Sequence, residues 1–280
     1  MTHERLPPPR PAPDPLDDDE CLGLLGEAFA AAWRQDAGRP AILRERVLDR
    51  VTRSARASRA FITVRRKDAP PEELADGVSA RTLYEAASRQ LRPGEPRRVR
   101  IIELAPGARW VPDLRRDERS EWLALSGSLA VGGLSLAVRD FHLLPVGDDM
   151  ASVVSEGGAR FYLREAPRAG DRALQTVTVR DADSAWDDFA PGIKRRVMWT
   201  VGGEAALLYH ALPGAQVPRH GHGHDEECLM LEGDIFLDDV LLRPGEYQLA
   251  PAGSVHGGVS TDTGLLLFAH GDLELDIRAE

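Results

Sequence analysis

The spacing of apolar residues changes near residue 60, and the change divides the chain. Leu22, Leu25, Phe29 and Ala32 or Trp33 follow at three- and four-residue steps, the spacing of one helical face. Asp17, Asp18, Asp19 and Glu20 put negative charge at the start of that helix, where its dipole favours it, and Gly38 and Pro40 end it. A second helix is predicted from Pro40, with Ile42, Leu43, Val47 and Val51 on one side and arginines elsewhere, fading near Ser58. Residues 17–60 therefore read as a helical segment, too small to stand as a domain of its own. Ahead of it, prolines at positions 7, 8, 9, 11, 13 and 15 make residues 1–16 a disordered or extended tail. From about residue 61 the pattern becomes short β-type runs separated by Gly and Pro, as in a sandwich or barrel.

The β region reads twice. Pro213-Gly214-Ala215, Leu231-Glu232-Gly233 and Pro251-Ala252-Gly253 have counterparts in Pro106-Gly107-Ala108, Leu125-Ser126-Gly127 and Pro145-Val146-Gly147. The offset is 107 at the first marker and 106 at the other two, a one-residue difference in a loop. Two copies of one β unit, over residues 61–168 and 169–280, account for the length.

Composition narrows the setting. The chain has 42% hydrophobic and 29% charged residues, ordinary for a globular protein, and no run approaches the roughly 20 apolar residues of a membrane span. Without a signal pattern, and with Cys21 and Cys228 too few for a disulfide framework, a cytoplasmic location is expected. Between Arg34 and Lys67 eleven Lys/Arg face three Asp/Glu, yet the whole chain carries −10. That acidic body argues against direct nucleic-acid binding, and the basic segment reads as a solvated helix face or a contact for an acidic protein.

The second copy carries the chemistry. Five residues separate Gly214 from His220-x-His222, three more precede Glu226, and six lead to Gly233. Farther on come Gly245, Pro251-x-Gly253 and, after two intervening residues, His256. Residues i and i+2 on a strand share a face, so His220 and His222 can converge on one ion. Glu226 adds an anionic oxygen, and the Pro251–Gly253 turn returns His256 to them. Gly221 and Gly223 let the backbone crowd the site. Three imidazoles and a carboxylate suit Zn, Fe, Mn, Ni or Cu and not a calcium cage. Glu227 is an alternative ligand to Glu226. In the first copy Asp113, Arg115, Ser120 and Met150 fall at the four positions and could not hold a transition metal together; Trp110 and Trp122 are expected to fill or cover that barrel. By strand parity Cys228 and Met230 face the lumen with Glu226, whereas Leu229 and Leu231 face outward and need cover from the other barrel or a second chain. A buried Cys228 reads as inert core. His210 and His142 read as ordinary histidines. The nearby candidates for acid–base work are Glu227, His224 and Tyr247.

These spacings are those of the two cupin motifs, and residues 72–280 resemble the cupin superfamily, which implies a double-sheet jelly-roll barrel for each copy, a mainly β bicupin. Glu226-Glu227-Cys228-Leu229-Met230-Leu231-Glu232-Gly233-Asp234, then Gly245-Glu246-Tyr247 and Pro251-Ala252-Gly253-Ser254-Val255-His256, are similar to the ChrR-type cupins. Those form the zinc-binding sensory domain of anti-sigma factors. The helix at Pro40–Leu48 is also similar to the one linking the two domains of that family. This chain lacks the family's N-terminal His-x3-Cys-x2-Cys motif, having only Cys21 there, so contact with a sigma factor would run through residues 17–58 without zinc. The resemblance implies one divalent ion, zinc first, with iron or manganese as alternatives. Two functions follow: a regulator responding to a small molecule or oxidant in the second barrel, or a metalloenzyme, foremost an Fe(II) dioxygenase. A homodimer is compatible with either.

Overall fold

Short runs rich in β-branched and aromatic residues become strands throughout the region after residue 61. In the computed structural model the described residues are 61–85, 97–114, 118–145, 152–167 and 175–278, with Leu48 and Thr52, both helical, ahead of them. The chain divides into two units, 1–57 and 58–280. The expected tail at 1–16 and the helical segment at 17–60 lie otherwise outside the described residues, as do Arg115 and Met150.

The second unit is built from two copies of one antiparallel design. One seven-stranded sheet runs Val177–Val179, Phe141–Leu144, Glu118–Gly127, Ala159–Pro167, Arg98–Leu104, Val78–Glu85, Glu72–Ala75. The other runs Ile62–Val64, Tyr247–Ala250, Glu226–Gly233, Leu265–Asp272, Glu204–Ala211, Ile193–Val201, Asp187–Ala190. A four-stranded sheet accompanies each, and a three-stranded one of Val255–His256, His220–Gly221 and Asp276–Ile277 belongs to the second copy. This is the double-sheet jelly roll, twice.

Each larger sheet takes its outer edge strand from across the expected boundary at 168/169. Ile62–Val64 pairs with Tyr247–Ala250 of the second barrel, and Val177–Val179 pairs with Phe141–Leu144 of the first. The exchange covers two sheet edges that would otherwise offer unpaired backbone.

Strand parity and bulges sort the apolar side chains into three cores. In Val78–Glu85, Val78 and Ala80 point into the first barrel, Leu83 at odd spacing faces the core shared by both barrels, and a bulge between Thr82 and Tyr84 lets Tyr84 pack against that core as well. Ile193–Val201 carries the equivalent bulge, between Val197 and Trp199. The shared core unites Leu123, Phe141 and Tyr162 of the first barrel with Leu229, Leu249 and Phe268 of the second. Leu229 and Leu231 thus find their cover inside the chain.

The two lumens differ in filling. In the first, Trp122 stacks on Phe161 at 5.3 Å between centroids, and Trp110 lies 6.5 Å from the same ring. At the matching positions the second barrel has Cys228, Leu267 and Val217, all smaller, and all three line a cavity. Loss of aromatic volume leaves that space open.

Candidate metal centre

His220 sits opposite His256 in the pairing of His220–Gly221 with Val255–His256. His222 follows at the end of that short strand, and Glu226 opens the long strand Glu226–Gly233. The three imidazole rings lie mutually 5.0–5.6 Å apart. His220, His222 and Glu226 offer ligand atoms all within 4.8 Å of one another. The Nε2 of His256 is 3.6 Å from the Glu226 carboxylate. The structure therefore brings all four expected donors together.

Their hydrogen bonds set which nitrogen faces inward. His220 Nδ1 donates to the Pro218 carbonyl at 2.9 Å, and His256 Nδ1 to Asp238 at 3.2 Å, which leaves each Nε2 for the site. Burial alone would raise the Asp238 carboxyl; His256 and the amides of Gly257 and Gly258 reverse that and hold it below its ordinary value. The Nε2 of His256 and both ring nitrogens of His222 are buried without a hydrogen-bond partner. Burial first, with His256 and His220 adding to it against the opposing Glu226 charge, holds His222 below the usual imidazole value, which favours the neutral ring with a lone pair to give. Buried polar nitrogens ordinarily have partners, and a shared cation supplies one to all of them. The donor set fits a divalent transition metal.

Sequence reasoning missed several residues that shape this centre. Phe61 packs against His256 with ring centroids 4.6 Å apart and the ring planes tilted by 37°. Asp238 carries no recognisable spacing signal. Gly271 lies tight against Glu226: a Cβ there would meet Glu226 backbone and side-chain atoms at 3.2–3.3 Å. Gly221 and Gly223 are crowded by side chains other than the donors: a Cβ would run into the Arg278 guanidinium at the first and come within 3.1 Å of the Asp272 carboxylate at the second.

The three candidate acid–base residues are turned elsewhere. Glu227 faces away from the lumen, as its parity opposite Glu226 requires, and is neither beside the donors nor free. Arg164 Nε and the Tyr247 hydroxyl each donate to it at 2.9 Å, and Arg97 pairs with it at 2.8 Å. Burial would raise its carboxyl, but Arg164 and Arg97 outweigh that and hold it at about 2. Tyr247, committed to Glu227, is likewise buried away from the lumen in the shared core. Glu121, the counterpart of Glu227, accepts from Arg164 at 3.0 Å and from the Trp199 indole at 3.1 Å. The paired acids clamp the two barrels together through one arginine. His224 is held at the rim by Asp272, Nδ1 to Oδ1 at 2.5 Å.

Cys228 and Met230 do face the lumen, as parity requires. Cys228 lines the cavity with His220 and Glu226, whereas Met230 is fully buried core. Burial, followed by the Glu226 charge, pushes the Cys228 thiol well above its ordinary value, so it is a poor nucleophile. In the first barrel Ser120 stands at the Glu226 position and accepts a hydrogen bond from Trp122 at 2.9 Å. His142 bonds Thr178 and His210 packs on Trp186, both structural roles. Among the described residues no helix is long and apolar enough to cross a membrane.

Residues 174–274 match the family model of the ChrR cupin-like domain. The fold is similar to that of a Pseudomonas aeruginosa protein provisionally named glyoxylate-induced, with a TM-score of 0.63 at 14% identity over 80% of this chain and 92% of that one. It is similar too to a Nostoc punctiforme protein with a provisional dioxygenase name, with a TM-score of 0.59 at 14% identity over 80% and 88%. A variant of Bacillus subtilis oxalate decarboxylase aligns with a TM-score of 0.56 at 16% identity over 78% of each chain. No curated protein matches the chain.

Proposed function

From the premise that residues 174–274 form a ChrR cupin-like domain, we propose that this protein is a metal-dependent regulator whose second barrel senses a small molecule or oxidant. His220, His222, Glu226 and His256 would hold one divalent ion, zinc first among the candidates. The ion would give the barrel a Lewis-acidic point for an incoming donor. The observation that carries the reading is Phe61 packed against His256, with the ring planes tilted by 37°. Phe61 directly follows the segment expected to be helical, and its strand, Ile62–Val64, is built into the sheet of the metal barrel. A change at His256 thus meets the chain at the point where the N-terminal segment ends. Coupling of this kind works only if the two states of that segment differ in free energy with the site's state. The proposed partner is a sigma factor, held by residues 17–58.

Metal-dependent oxygenation is the second reading, favoured by the cavity that reaches two of the donors, His220 and Glu226. One experiment separates the readings. The full chain and a variant lacking residues 1–58 are each tested for co-purification with co-expressed sigma factors, and for oxygen consumption with iron and a small diketone or phenol. Capture that depends on the removed segment supports the regulator; oxygen consumption without capture overturns it in favour of the enzyme.

A further inference from the structure

The cavity of the second barrel spans about 580 Å³ with the open solvent at its mouth included, and its walls are mainly hydrocarbon: Phe189, Ile193, Val217, Leu237, Leu267 and Leu275 stand among them. Apart from His220 and Glu226, its polar lining is Tyr209, Cys228, Ser260 and Thr261. All four are side chains whose ordinary form at neutral pH is uncharged. Among the described residues lining the cavity none is Lys or Arg. Arg195 comes near, touching Tyr209, but its guanidinium lies over the Phe189 ring and is engaged by the Leu273 carbonyl and Glu274.

Charge bookkeeping then restricts the occupant. A divalent ion held by three neutral imidazoles and the Glu226 carboxylate keeps one positive charge. A donor with a single negative oxygen brings the site to neutrality. Among the described residues, a second negative group placed inside the cavity would meet mainly apolar side chains, with the Arg195 guanidinium beyond Phe189 and Tyr209 already engaged by Leu273 and Glu274, and a poorly paired buried charge is strongly disfavoured. We infer that the second barrel selects a small organic monoanion, a carboxylate, enolate or phenolate on a hydrocarbon body, and rejects dianions of the same shape. This inference rests on the proposed metal centre.

The test compares 4-methylbenzoate with terephthalate, which share a ring and differ in a methyl against a second carboxylate. Each is titrated calorimetrically into full-length zinc-loaded protein at fixed ionic strength, with metal content assayed before and after. The expected result is at least tenfold tighter binding of 4-methylbenzoate, abolished by Val217→Trp while the zinc remains; Ala215→Trp serves as a second cavity-filling variant if the first does not fold. Equal or tighter binding of terephthalate, or 4-methylbenzoate binding that survives filling of the cavity, overturns the inference with the metal centre intact. Protein that takes up no zinc overturns the centre itself, and the ligand class with it.

Discussion

At the scale of single residues, the centre depends as much on what orients the imidazoles as on the imidazoles. The four donors could be read in the sequence because their spacing reports a hairpin geometry. Asp238, eighteen positions before His256, could not, because its role arises only when the hairpin closes and brings its carboxylate to Nδ1. Groups in this position commonly change metal affinity 10–100-fold. Asp238→Asn is therefore expected to weaken zinc binding by roughly 10–100-fold in a competition titration with a chromophoric chelator, with the fold intact by circular dichroism. Unchanged affinity would remove Asp238 from the account. Glu227 teaches the reverse lesson. Its neighbourhood in the sequence made it a candidate ligand and acid–base group, but a one-residue step along a strand sends a side chain to the opposite face.

At the scale of elements, Arg164 links the barrels. It is the shared partner of Glu121 and Glu227, on equivalent strands of the two copies, and is buried with both. Removing one member of a buried ionic cluster leaves charge uncompensated, which typically costs about 3–5 kcal/mol. Arg164→Met should lower stability to urea by about that amount, with partial recovery when Glu121→Gln and Glu227→Gln are added. The same carboxylates set an acid limit. Glu227 is held at about 2 against an ordinary 4.5, and Glu121 is lowered as well. A carboxyl depressed in the folded state stabilises fully above its ordinary value, and that contribution drains away as pH falls toward the folded one. Urea midpoints should thus be flat in pH just above 4.5 as far as these groups decide, then fall between about 4.5 and 2. A wild-type chain and a Glu121→Gln/Glu227→Gln chain with the same acid profile would contradict this.

At the scale of the molecule, the two-copy architecture was legible because turn glycines and prolines recur at offsets of 107 and 106. The exchange of edge strands was not. Ile62–Val64 could pair with any exposed edge, and its place beside Tyr247–Ala250 is fixed by how the barrels pack, which no local pattern records. The fate of each lumen was half legible: the missing ligands of the first copy were plain, but that Trp122 and Phe161 fill it while Cys228 and Leu267 leave the second open follows only from register. One barrel is filled by packing, and the other keeps donors, a cavity and Phe61 packed against His256.

The claim on which all of this rests is that the second barrel holds one metal ion through its four donors. Elemental analysis of full-length protein purified without added metal tests it most directly, beside a His220→Ala/His256→Ala chain prepared identically. One ion per wild-type chain, zinc foremost, and none in the double variant is the predicted result; a folded double variant that retains one ion per chain would contradict it.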